Sequence, residues 1–87
     1  MTNEELLIEC KIGLGIQPEE AAFNDVLTQK LTAVKSFMRR AGVSTDTLDS
    51  EDAIGVLVMG VGDVWNQEAG TVKFSPAFIS MVTQLTF

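Results

Sequence analysis

The feature that most constrains this chain is a run of thirteen residues, 53–65, that is apolar almost throughout yet contains Gly55, Gly60 and Gly62. The run is too short to span a bilayer, which needs about 20 residues. A helix over it would be apolar beyond a single face, so it should be buried on more than one side. Because a chain of 87 residues has little surface to cover such an element, the run predicts contact with other chains.

The charge and cysteine content narrow the possible functions. Twelve acidic and six basic residues give a net charge of −6, which does not fit the basic surface of a general DNA-binding domain. The acidic balance indicates solubility or a surface that repels nucleic acid. Cys10 is the only cysteine, so no intramolecular disulfide can form, as is usual in the cytosol. The acidic start of the chain does not resemble a signal peptide, and no membrane association is expected.

The first segment is predicted to be a helix from Thr2, with Glu5 completing a capping box. We expect it to run to about residue 12 and to stop at Gly13 or Gly15. Its apolar residues divide into a main face with Leu6, Leu7, Cys10 and Leu14, and an opposite side with Ile8 and Ile12.

The second segment, roughly residues 19–41, has the clearest helical pattern. Pro18 stands just ahead of its predicted start, and Gly42 supplies the stop. Apolar residues recur on one side of the helix, with polar residues opposite. This apolar side consists of Phe23, Val26, Leu27, Leu31, Val34, Phe37, Met38 and Ala41.

Residues 43–50 are predicted to form a polar loop, after which Asp49 or Ser50 caps a third helix. A pair of strands is the alternative for residues 53–65, because valine is frequent there and glycine weakens helices. Gly70 is expected to end this element. The last segment begins with Ser75 as a helix cap and Pro76 at the first helical position.

These patterns predict an all-α fold: a small bundle of about four helices, two short and two longer, in a single domain over residues 1–87. The predicted core consists of Leu6, Cys10, Phe23, Leu27, Leu31, Val34, Met38, Leu57, Val61, Val64, Trp65, Phe78, Val82 and Leu85.

Two surfaces are candidates for contact with another copy of the chain. Glycines in the third helix cost free energy that close approach of a neighbouring backbone would offset, although crowding within one subunit is the alternative. The candidate interface residues are Gly55, Val56, Met59 and Gly62 on the third helix, and Ile8 and Ile12 on the first.

A small basic cluster, Lys35, Arg39 and Arg40, lies near the end of the second helix. It has two interpretations. The cations either stabilise the helix dipole or dock onto an acidic partner.

The sequence predicts no catalytic, cofactor or metal site. Histidine is absent, which removes the commonest general base and a common metal ligand. The acidic pairs stand at predicted helix starts, where they serve as caps, and no phosphate-binding loop or metal-ligand spacing is present. We therefore expect that the chain is not an enzyme.

The order of elements resembles the small head–tail connector (adaptor) proteins of tailed bacteriophages. In that family the first helix commonly ends in a Leu-Gly-Ile-like turn, here residues 14–16. The third helix commonly ends in an aromatic residue followed by Asn and Arg, here Trp65 and Asn66, with Gln67 where arginine is common. A proline-started helix closes the domain, here within residues 74–85.

The resemblance implies a subunit of a homo-oligomeric ring of a dozen or so copies at the head–tail interface of a virion, assembled in the cytoplasm of the host bacterium. Such a ring sits beneath the portal protein, receives the stopper or tail proteins, and continues a channel through which DNA passes without specific binding. The alternative is a small helical regulatory or adaptor module, antitoxin-like, that forms a dimer and binds one partner protein. A ring needs two different complementary faces, whereas a two-fold dimer uses one self-complementary face.

Overall fold

A computed structural model describes residues 2–65 and 73–86 of the chain, and within these residues every regular element is helical. The elements in chain order are α1 (Asn3–Leu14), α2 (Asn24–Arg40), α3 (Thr45–Leu48), a short 3₁₀ helix (Glu51–Ala53), α4 (Ile54–Val64) and α5 (Pro76–Gln84). The predicted all-α bundle is confirmed, and the glycine-containing apolar run forms a helix rather than a pair of strands.

Helix α1 begins and ends with the predicted capping residues. The Thr2 hydroxyl accepts a hydrogen bond from the Glu5 backbone N–H at 3.2 Å, and a Glu5 carboxylate oxygen accepts from the Thr2 N–H at 3.2 Å. Gly15 adopts the left-handed conformation, with φ of 75°, and the Ile16 N–H donates to the Lys11 carbonyl at 2.8 Å. The helix therefore stops at Gly15, the later of the two predicted positions.

Helix α2 begins at Asn24, five residues later than predicted. The Glu20 carboxylate accepts a hydrogen bond from the Ala22 N–H at 2.9 Å, and such local bonds compete with helix formation. Phe23 consequently stands before the helix and is 43% exposed, so its predicted place in the core is wrong. Its ring packs edge-on against Trp65, with ring centroids 5.9 Å apart.

Helix α2 ends as predicted, at Gly42. Gly42 has φ of 110°, and the Val43 N–H donates to the Met38 carbonyl at 3.0 Å, as in a Schellman motif.

The polar loop predicted over residues 43–50 is wrong, because this stretch contains α3 and buries two apolar side chains, Val43 and Leu48. The Ser44 hydroxyl caps α3 by accepting a hydrogen bond from the Thr47 N–H at 3.2 Å.

Helix α4 is the centre of the fold, because α1, α2 and α5 all pack against it. Most of the predicted core is buried, while Trp65 and Leu85 are half-buried and pack against the edge of the core. The predicted core residues that are buried are Leu6, Cys10, Leu27, Leu31, Val34, Met38, Leu57, Val61, Val64, Phe78 and Val82. The described residues measure 35 × 29 × 17 Å, a slab about two helices thick.

Helix α5 begins as predicted and is attached to the end of α4. The Ser75 hydroxyl caps α5 by accepting from the Phe78 N–H at 3.2 Å. The same hydroxyl and the Ser75 N–H both donate to one carboxylate oxygen of Asp63, at 2.8 and 3.0 Å. This carboxylate fixes the start of α5 beside the end of α4.

Candidate interaction surfaces

The glycines of α4 lie on two different sides of the helix. Gly60 is on the buried side, where a Cβ atom would lie 2.5 Å from Phe78 Cε1 and 2.7 Å from Val34 Cγ1. At Gly60, therefore, crowding within one subunit accounts for the missing side chain.

Gly55 and Gly62 are exposed, and a Cβ added at either position would meet no other atom of residues 2–65 and 73–86 within 4 Å. Met59 lies between them and is half-buried. We name Gly55, Met59 and Gly62 the α4 strip. Val56 does not belong to it: only 3% of this residue is exposed, because one step along the helix turns its side chain into the core. The predicted interface role of Val56 is therefore wrong, whereas that of the α4 strip stays a prediction.

Acidic residues stand at both ends of the α4 strip. Glu51 and Asp52 precede Gly55 by four and three residues, which places them on its side of the helical turn, and both are exposed. Asp63 follows Gly62 directly and bonds to Ser75. The strip therefore carries negative charge at each end.

The side of α1 that was predicted to be exposed carries two branched apolar side chains at the surface. Ile8 is 42% exposed and Ile12 is 59% exposed, one helical turn apart. We name these two residues the α1 ridge. Glu4 and Glu9 are exposed on either side of the ridge, so the ridge is apolar in the middle and acidic at its edges. Whether it contacts another chain stays a prediction.

The basic cluster at the end of α2 is divided between two sides of that helix. Lys35 and Arg39 line a small cleft on the side that faces α1, together with Leu7 of that helix. Arg40 lies 100° further around α2 and lines a different depression. The three cations therefore do not form one docking patch. Arg39 and Arg40 lie in the last turn of α2, where cations interact favourably with the helix dipole, whereas Lys35 lies before that turn.

The depression beside Arg40 is an open groove of about 630 Å³, lined by Ala33, Phe37, Arg40, Ala41 and Phe74, which we name the α2 groove. The rings of Phe37 and Phe74 form its floor, with centroids 4.6 Å apart, and Phe74 stacks in turn on the buried Phe78 at 4.6 Å. The groove could not be predicted from the sequence because its two rings come from distant parts of the chain. The only local signal was the spacing of Ala33 and Phe37, one turn apart on α2.

Two reactive side chains of α1 are buried. Burial, together with a smaller effect of the nearby Glu9 carboxylate, raises the pKa of the Cys10 thiol to about 11, although Lys35 acts in the opposite direction. Lys11 is only 4% exposed, and its ammonium group donates to the Pro18 carbonyl at 3.4 Å. Cys10 packs in the core as predicted, while Lys11 joins α1 to the segment that follows it.

No protein-family model, curated protein or solved structure matches the chain. None of the helices in the described part of the chain is both long and apolar enough to cross a membrane. Residues 2–65 and 73–86 contain no cluster of three or more cysteine or acidic side chains that could hold a metal ion. Asn66, Gln67 and Gly70, which entered the sequence analysis, lie outside the described residues.

Proposed function

We propose that this chain is a structural subunit of a phage or prophage head–tail connector ring, joining a portal protein to stopper or tail proteins. The observation that carries the proposal is the α1 ridge. Ile8 and Ile12 are exposed one turn apart on a helix whose other side is packed against the core. Contact with another chain would remove this apolar surface from water, which favours association.

A ring requires a second surface, different from the first, because head-to-tail contacts close a ring. The molecule has two candidates for it away from the ridge, the α4 strip and the α2 groove. A two-fold dimer would need only one self-complementary surface. The presence of surfaces that differ in shape and charge supports the ring over the dimeric regulatory module.

The charge supports the same proposal. A net charge of −6 and the separation of Arg39 from Arg40 leave the described surface without a continuous basic groove. A channel wall with this balance lets DNA slide without retaining it, since retention depends on cations that neutralise phosphates.

The experiment that tests the proposal is the native mass of the purified chain by light scattering, with negative-stain images of any large species. We expect ring-shaped particles of about a dozen subunits. Ile12→Glu is expected to abolish them, whereas Thr83→Glu, which adds the same charge at an exposed site on α5, should leave them intact. A clean dimer would contradict the ring and favour the regulatory module, and a monomer at every concentration would contradict assembly without a portal.

A further inference from the structure

We propose that the α2 groove of one subunit receives the α1 ridge of a second copy of this chain. This contact rests on the proposed ring assembly and specifies which two surfaces meet in it.

The shapes of the two surfaces correspond. The α1 ridge presents Ile8 and Ile12, spaced four residues apart, and the groove is lined by Ala33 and Phe37 with the same spacing. Rows of side chains four residues apart on two helices interdigitate in the commonest class of helix packing. The groove holds about 630 Å³, roughly the liquid volume of 20 water molecules, so it has room for aliphatic side chains from one helical turn.

The charges distinguish the groove from the α4 strip. The ridge carries Glu4 and Glu9 at its edges, and the groove offers the Arg40 guanidinium on its rim. The α4 strip instead has acidic residues at both ends, Asp52 before it and Asp63 after it. Opposite charges favour the ridge in the groove, whereas like charges oppose the ridge on the strip.

Helix α1, which carries the ridge, and the α2 groove lie on different sides of α2. Helix α1 packs along the side of α2 that bears Lys35 and Arg39, where Leu7 lines the shared cleft. The α2 groove opens on the other side, beside Arg40. A subunit therefore does not bring its own ridge to its own groove. Contact between copies is head to tail, which leaves a free ridge at one end and a free groove at the other until the ring closes.

The first test links the two surfaces covalently in the full chain. Ile12→Cys combined with Ala33→Cys places one thiol on the ridge and one beside the groove, while the native Cys10 thiol is buried and does not compete. Under mild oxidation we expect a ladder of disulfide-linked oligomers on a non-reducing gel. Either single variant lacks the second thiol and is expected to give at most traces of dimer.

The competing arrangement has its own variant, Ile12→Cys with Gly62→Cys, which links the ridge to the α4 strip. A ladder from this variant, and none from the Ala33→Cys pair, would overturn the groove as the receiving surface. Ring particles without any ladder would also overturn it, yet would leave the ring proposal standing. A chain that stays monomeric by light scattering would contradict ring assembly without a portal, so the two failures are distinguishable.

The second test exchanges charges. Arg40→Glu is expected to weaken self-association at least tenfold, and Arg39→Glu is the matched control, with the same charge change one residue away on the other side of α2. Adding Glu9→Lys to Arg40→Glu should restore association to within threefold of the parent chain, because each contact then regains an opposite pair. Equal effects of Arg39→Glu and Arg40→Glu, or no restoration by the double variant, would overturn the contact.

Discussion

On one side of α4, Gly60 lies against Phe78 and Val34 so closely that no side chain fits. Gly62, two residues later on the opposite side, has no such neighbour in the part of the chain that the structure describes. A glycine inside a helix costs about 1 kcal/mol relative to alanine. At Gly60 the close packing of α2 and α5 onto α4 offsets that cost. At Gly62 no contact with another described residue offsets that cost.

The largest expected effect on stability comes from adding a side chain on the buried side of α4. Gly60→Ala should destabilise the fold by about 2 kcal/mol, because a Cβ atom overlaps two packed side chains and outweighs the gain in helix propensity. Urea unfolding followed by circular dichroism measures the change. Val34→Ala in the same chain makes room for the new methyl group. The double variant should therefore lose about 1 kcal/mol less than the sum of the single variants. Additive losses would contradict the packing explanation.

A smaller loss is expected at Gly13, where α1 approaches α4. A Cβ atom there would overlap Val58 Cγ1 alone, and Val58 is half-buried, so it has room to move outward. Gly13→Ala should cost about 1 kcal/mol, half the loss at Gly60. The same unfolding assay compares the two, and a Gly13→Ala variant more stable than the parent chain would show that the helices separate without cost.

On the exposed side of α4, replacing a glycine by alanine should increase the stability of the fold. Gly62→Ala is expected to stabilise the monomer by about 0.5–1 kcal/mol, which raises Tm by roughly 2–8 °C, because the new methyl group meets no neighbour. Gly55→Ala is the matched variant on the same strip. The measurement is thermal unfolding under conditions in which the chain is monomeric. A lower Tm for both variants would contradict the open surroundings of the strip.

The smallest effect on stability is expected when a buried thiol is compared with an exposed one by their chemical reactivity. With its pKa raised to about 11, Cys10 is almost entirely a protonated thiol at pH 8, and its reaction with iodoacetamide should increase as the pH rises towards 11. A cysteine placed at Gly62 is exposed and keeps an ordinary pKa near 8.5. At pH 8 the introduced thiol should react roughly 100-fold faster or more, as mass spectrometry of the peptides would show. Similar reaction rates for the two thiols would mean that α1 often detaches from the core and exposes Cys10.

Capping chemistry and the amphipathic pattern of α2 were predictable from the sequence because each depends on residues close together in the chain. Thr2 with Glu5, and Ser75 before Pro76, are local signals of helix starts, and both starts are confirmed. The cap predicted at Asp49 or Ser50 is wrong, because α4 begins after Ala53, which makes no side-chain cap. The stop at Gly42 follows from the left-handed conformation that glycine adopts easily. The buried stripe of α2 follows from the helical period alone.

The features that sequence analysis missed depend on short elements or on distant parts of the chain. Helix α3 has four residues, too few for periodicity to appear. Phe23 shares the apolar period of α2, but the Glu20 hydrogen bond delays the helix past it. The pairing of Phe37 with Phe74, which forms the floor of the groove, has no local signal at all.

Lys11 shows that residue type alone does not determine burial. Lysine is rarely buried, yet this side chain lies four residues after Leu7, on the packed side of α1. The helical period favours the interior at this position, whereas the charge favours the surface. Its flexible stem reconciles the two, because it follows the core while its ammonium group reaches the Pro18 carbonyl.

The burial of Lys11 has a consequence for proteolysis. Trypsin cuts after lysine and arginine, and Arg39 and Arg40 stand exposed at the end of α2, where a protease can reach them as soon as the helix end frays. The bond after Lys11 lies inside α1, and its side chain is covered by the fold. Trypsin can cut there only after α1 has left α4. The rate of that single cleavage therefore reports how often the first helix detaches.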